Sequence, residues 1–265
     1  MPGLKVPISD AHIHVGHFEG GLYFSPAQIV KDMKALGVGR WCFSSTSTGS
    51  VPFPRVRREI EEVLGLSEGA ALPFLWVMPG MLADSRDLSR YFFCEFRGLK
   101  VHGWQGWAPE GKDLRRVFDI AKERRLPVML HTGGRPCCEA GAYRKICSDF
   151  PAVPVILAHG RPIDETAEIL RDCPNAYADT AFMPVRDIVR LRDSGLLPQV
   201  FWGSDFPVMK YFFKSPPRRY YRRRVQSAVR ALGKDDFCKI AWRNARSFFK
   251  WEAGKASSVE GCNSR

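Results

Sequence analysis

The chain has 265 residues, with 40 Lys and Arg against 28 Asp and Glu, for a formal net charge of +12. A length near 250 suits one large α/β barrel or two modest domains. With 45% hydrophobic, 12% aromatic and 26% charged residues, a disordered, collagen-like or low-complexity chain is excluded. No stretch approaches the roughly 20 uninterrupted apolar residues of a membrane span. The opening MPGLKVPISDAHIHVGHF has no charged segment ahead of a long apolar run. Together these features point to a soluble, cytoplasmic protein with no membrane role.

In chain order, apolar runs of strand length recur at intervals of about 25 to 35 residues, with helical patterns between them. Ile8 to His14 reads as the first strand. Ser25 and Pro26 open a helix that Gly37 closes. Arg40 to Thr46, Leu72 to Met78 and Glu95 to His102 follow as strands, and Asp113 caps a helix running through Arg125. Pro127 to Thr132 and Val153 to His159 are the fifth and sixth strands. A helix over Asp164 to Asp172 precedes the strand Asn175 to Thr180, and a helix over Pro184 to Ser194 precedes the strand Val200 to Ser204. A last helix spans Asp235 to Lys250. Eight strands alternating with helices predict a (β/α)₈ TIM barrel over residues 1–251, with chemistry at the carboxyl ends of the strands. Residues 252–265, rich in small and polar side chains, read as a flexible tail.

The six histidines fall where such a barrel would use them. His12, His14 and His17 lie on the first strand and its loop, and His102, His131 and His159 end the fourth, fifth and sixth strands. Strand side chains alternate, so His12 and His14 share one face about 7 Å apart along the backbone, while Ala11 and Ile13 point to the helices. The eighth strand finishes in Asp205. Neutral imidazoles and a carboxylate are the ligands a zinc-like ion prefers. A lone strand-end histidine is ordinarily a satisfied core residue, but four such positions in register select His12, His14, His131 and Asp205 as a metal site.

Other features carry less. The eight cysteines read as free thiols, with the vicinal Cys137 and Cys138 taken as packing or loop residues. Arginines are densest in Arg218, Arg219, Arg222, Arg223 and Arg224, around Tyr220 and Tyr221. That mixture could stack on bases and hold phosphates, but at helical spacing it reads first as a solvated helix face, so nucleic acid is the lesser partner.

The pieces DAHIH at 10–14, FRGLKVH at 96–102, VMLHTG at 128–133, ILAHG at 156–160 and WGSDFP at 202–207, with IAWRNARSFF at 240–249, resemble the amidohydrolase superfamily. The likeness is to its branch related to aminocarboxymuconate semialdehyde decarboxylase. The resemblance implies one divalent ion, Zn²⁺ first and Mn²⁺ second, held by His12, His14, His131 and Asp205. It makes Asp205 and His159 the catalytic pair, Asp205 as base and His159 polarising the substrate carbonyl. In a two-metal variant, Lys100 would bridge as a carbamate and His159 would bind the second ion; a plain pairing of Lys100 with a barrel carboxylate is the structural alternative. The implied reaction is hydrolysis of an amide, ester or lactone in a small molecule, with nonoxidative decarboxylation as the alternative in the same site. His102, Trp104, Trp107 and Arg135 are the candidate substrate contacts. Whether the protein forms a homo-oligomer is left open.

Overall fold

A computed structural model describes residues 7–82, 88–213 and 215–251. The expected tail at 252–265 lies outside them. The chain runs through β1 (Ile8–Phe18), β2 (Leu22–Phe24), α1 (Pro26–Leu36), β3 (Val38–Ser45), α2 (Phe53–Leu66), β4 (Ala71–Val77), β5 (Gly98–Val101), α3 (Lys112–Arg124), β6 (Val128–His131) and α4 (Arg144–Asp149). It continues through β7 (Val155–Ala158), α5 (Ile163–Asp172), β8 (Ala176–Asp179), α6 (Val185–Asp193), β9 (Val200–Phe201), α7 (Met209–Phe212), α8 (Pro217–Cys238) and α9 (Asn244–Phe248). Local chemistry sets the ends. The Ser25 hydroxyl accepts from Gln28 N, Pro26 opens α1, and Gly37 closes it in the left-handed region.

Among the described residues, nine strands form one sheet in the order β2-β1-β3-β4-β5-β6-β7-β8-β9. All neighbours are parallel except the short β2, which pairs antiparallel with the end of β1 and was not anticipated. The sheet closes on itself, because β1 bonds to the segment following β9. Ala11 N donates to Trp202 O, Asp205 N to His12 O, and His14 N to Phe206 O, all within 2.9 Å. The Asp10 carboxylate accepts from both His12 N and Ser204 N across that seam. This is the TIM barrel expected from the alternation.

Outward-facing Leu75, Val101, Leu130 and Leu157 pack beneath the helices. Inward-facing Cys42, Phe74, Met129, Ile156 and Phe201 fill the barrel, and Ala245, Phe249 and Trp251 plug its amino-terminal end. Ala11 belongs to this inner group, which corrects the expectation that it faces the helices. β1 carries an extra residue against β3 between the Asp10↔Trp41 and Ile13↔Phe43 pairs. That bulge shifts the phase of the strand, so Ala11 points inward below the bulge and His12 and His14 point inward above it.

Two further boundaries differ. Gly111, not Asp113, precedes α3, and Asp113 sits in its first turn. The final helix is not continuous over 235–250: α8 carries a non-helical Gly233, and a π-helical segment Lys239–Arg243 precedes α9. The arginine-rich segment opens α8, where Tyr221 is fully buried and bonds Trp202 Nε1, so it cannot stack on a base. Arg224 donates to the Thr180 and Met183 carbonyls, and Arg218 pairs with Asp32. No helix among the described residues is long and apolar enough to cross a membrane.

Candidate active site

Strand-end side chains from opposite sides of the closure seam converge at the top of the barrel. His12 and His14 stand 3.1 Å apart at their Nε2 atoms. Both approach Asp205 Oδ1, at 3.3 Å from His12 and 2.9 Å from His14. The other nitrogen of each ring has its own partner: His12 Nδ1 lies 2.9 Å from Asp179 Oδ2, and His14 Nδ1 lies 3.1 Å from the Ser44 hydroxyl. A carboxylate only accepts, so His12 carries its proton on Nδ1 and turns an Nε2 lone pair towards Asp205. Asp179 is fixed in turn, its Oδ1 accepting from His159 N and Ala181 N.

A second chain of bonds orients the histidines of β6 and of the β7 end. His159 Nδ1 donates to the Ala181 carbonyl at 3.2 Å, so its Nε2 accepts from His131 Nδ1 at 3.1 Å. Burial, reinforced by neighbouring positive groups, pushes both imidazoles well below their ordinary pKa and keeps them neutral. His131 is left with a buried Nε2 lone pair that has no partner. His102 stacks on His131 at 3.9 Å and on Trp76 at 5.7 Å, and burial with the nearby Lys100 pushes it down to about 3.

Two charges lie beneath these rings. Lys100 is fully buried, its Nζ 3.4 Å from His12 Nε2, and burial lowers it to about 8 while Asp179 and Asp205 pull the other way. Its close contact is thus a histidine; the carboxylates act on it through charge. Burial alone would raise Asp205, but His12, His14 and Lys100 outweigh it and hold the carboxyl well below the usual carboxylate range. His159, Phe182 and Asp205 all have φ between 55° and 74°. Such left-handed conformations are costly for side chains with a Cβ and concentrate at functional sites.

These groups open into a cavity of about 660 Å³ whose other walls include Phe18, Trp76, Trp104, Phe182, Phe212 and Tyr220. Of the expected substrate contacts, His102 and Trp104 line it. Trp107 does not: it is buried in the layer between sheet and helices. Arg135 is exposed and lies over the Trp104 ring at 4.7 Å, outside the lining. Sequence reasoning missed Trp76, whose Nε1 donates to Gln105 Oε1 at 2.7 Å, as well as Ser44 and Arg161. Asp179 was not among the expected site residues, although it ends β8 as His131 ends β6 and was open to the same argument. The seven described cysteines are free thiols, with the Cys137 and Cys138 sulfurs 3.7 Å apart.

A family model described as Amidohydrolase matches residues 56–251, a span that holds His131, His159 and Asp205. The chain belongs to this amidohydrolase family. None of the curated proteins compared with it matches by sequence. Among solved structures, a probable 2-pyrone-4,6-dicarboxylic acid hydrolase from Acinetobacter baumannii with citric acid bound is similar at TM-score 0.68 and 11% identity, over 92% of this chain and 99% of that one. An amidohydrolase from Burkholderia multivorans with bound zinc gives 0.68 and 13%, over 92% and 99%. A 4-oxalomesaconate hydratase from Rhodopseudomonas palustris gives 0.64 and 14%, over 92% and 95%. Identities this low speak to the fold alone.

The donor chemistry of these residues bears on whether they fit a divalent ion. Two Nε2 atoms and a carboxylate oxygen meet at 2.9–3.3 Å. Lone pairs this close repel unless a proton or a cation lies among them. The spacing also matches the roughly 3.3 Å edge of a tetrahedron with ligands about 2.0–2.1 Å from its centre. A second group of close donors, His12, His159 and Asp179, is of another kind. Its atoms are spent on hydrogen bonds that orient the first group.

Proposed function

We propose that this amidohydrolase is a metal-dependent hydrolase cleaving an amide, ester or lactone bond in a small molecule. In this reading His12, His14, His131 and Asp205 hold one divalent ion, zinc in the first instance. The observation that carries it is the triangle of Nε2, Nε2 and Oδ1 atoms opening into a largely aromatic cavity. When bound, such an ion polarises a carbonyl and brings the pKa of water towards about 7.

The chain's own groups divide the remaining work. The Asp205 carboxylate, held ionised, accepts the proton of the attacking water and returns it to the leaving group. His131 offers its unpartnered Nε2, and His159 holds that ring in the required tautomer. With both nitrogens engaged, His159 has no N–H to spare for a substrate carbonyl. The developing negative charge therefore falls to Lys100, whose side chain lines the same cavity. The same engagement of His159 argues against a second ion bound by Lys100 and His159.

Metal analysis of the purified protein, followed by product analysis on lactones, esters, amides and hydroxybenzoates, tests the proposal. Stoichiometric divalent metal and metal-dependent release of acid are expected. Release of carbon dioxide would instead select decarboxylation, and a metal-free protein with undiminished activity would overturn both.

A further inference from the structure

Arg161 stands two residues after His159 and faces the cavity. Several other guanidiniums find carboxylates, among them those of Arg57, Arg97, Arg115, Arg144, Arg190 and Arg218. Arg161 is half-buried, its Nε is enclosed without a partner, and its Nη2 makes only a 3.4 Å bond to the Thr132 carbonyl. Asp205 and Asp179 act on it through charge alone, and burial lowers its pKa. A desolvated guanidinium with unmade bonds is costly unless an anion completes it.

The loop after β6 is shaped around this side chain. Gly133 has φ +86°, and a Cβ there would stand 2.9 Å from Arg161 Nε and 3.0 Å from Arg161 Cβ. Gly134 has φ +84°, and a Cβ there would stand 2.4 Å from Trp104 Cζ2. The Thr132 hydroxyl also accepts from Arg161 N at 2.9 Å. Two successive glycines thus seat a guanidinium stem and an indole side by side. Of the other charged residues lining the cavity, Lys100 and Asp205 belong to the reaction centre proposed above, and Glu19 is an exposed acid at the mouth.

We infer that Arg161 is a specificity-determining residue that receives a carboxylate of the substrate, with a flat unsaturated or aromatic ring of that substrate lying against Trp104. The inference rests on the proposed function only in taking this cavity as the substrate pocket. Gly133 closes off Nε, so the terminal Nη groups of the guanidinium meet the two carboxylate oxygens, a planar pairing that lysine cannot reproduce. The substrate class is then small planar carboxylic acids carrying the hydrolysable bond.

Binding of benzoate and of its neutral isostere benzamide, followed by tryptophan fluorescence and calorimetry on the purified protein, tests this without turnover. Benzoate should bind saturably to the wild type, with and without prior chelation, and benzamide at least ~10-fold more weakly. Arg161→Met should weaken benzoate at least ~10-fold and leave benzamide unchanged, and Arg161→Lys should recover only part of the loss. Thermal melts of Arg161→Met, with Arg161→Gln as a second variant, separate lost binding from lost folding. Benzoate bound equally by the wild type and a folded variant, benzamide bound as tightly as benzoate, or no benzoate binding at about 10 mM would each overturn the assignment. Because no bond is cleaved, failure here leaves the hydrolase reading standing, and failure of that reading leaves this result standing.

Discussion

One carboxylate, Asp179, joins β1 to the ends of β7 and β8: its Oδ2 meets His12 Nδ1 at 2.9 Å while its Oδ1 accepts the backbone N–H of His159 and Ala181. Through this contact the end of β8 dictates which nitrogen of a β1 histidine faces the candidate ion. Asp179→Asn keeps an acceptor for the two backbone groups but can turn an amide N–H towards His12. The ring then has to accept on Nδ1, which moves its proton to Nε2, among the donors. Metal affinity should fall about 10–100-fold with the fold retained, as measured by competition with a chromogenic chelator. Unchanged affinity would show that His12 needs no such orientation.

Much of the site was legible because a polar residue ending an apolar strand is an anomaly that composition does not explain. His12, His14 and Asp205 were chosen on that ground, and their atoms meet. What stayed hidden depends on geometry that local pattern does not encode. The bulge in β1 breaks the period of two, so alternation placed Ala11 on the wrong face. Trp76 sits within an apolar strand like a core residue yet lines the cavity, whereas Trp107, expected from its loop to contact substrate, is buried away from it. Arg161 follows no period, and only the glycines that make room for it mark its place.

Asp205→Asn separates holding the metal from moving a proton. The amide oxygen can still ligate, so part of the metal should remain. It accepts a proton far less readily than a carboxylate kept ionised by His12, His14 and Lys100. Turnover should drop at least ~100-fold, followed by steady-state kinetics alongside metal content. Loss of metal together with activity would leave only the ligand role for this residue.

Thiol reactivity should follow burial. Cys137 is exposed, whereas burial pushes Cys94 up to about 11, and Cys138 and Cys147 up to about 12. Iodoacetamide attacks the thiolate, whose fraction below the pKa grows about tenfold per pH unit. At pH 8 Cys137 should be labelled first, Cys94 more slowly, and Cys147 only on unfolding, with peptide mapping distinguishing the positions. Raising the pH to 9 should speed Cys94 about tenfold. Labelling of Cys147 at the rate of Cys137 in native protein would contradict the packing around α4.

Gly98, at the start of β5, is needed for space inside the barrel. A Cβ there would lie 2.2 Å from Phe74 Cε1, and Phe74 is itself buried in the interior cluster, in ring contact with Phe249. The ring cannot retreat outward because β4 carries it, nor downward because Phe249 and Trp251 fill that end. Gly98→Ala should therefore cost about 2–3 kcal/mol by overpacking, read from urea unfolding. The steric account makes a sharper demand of the double variant. Phe74→Leu shortens the offending ring, so Gly98→Ala should cost much less in that background than in the wild type, a coupling of about 1 kcal/mol or more. Strictly additive effects would mean that the two side chains do not compete for the same volume.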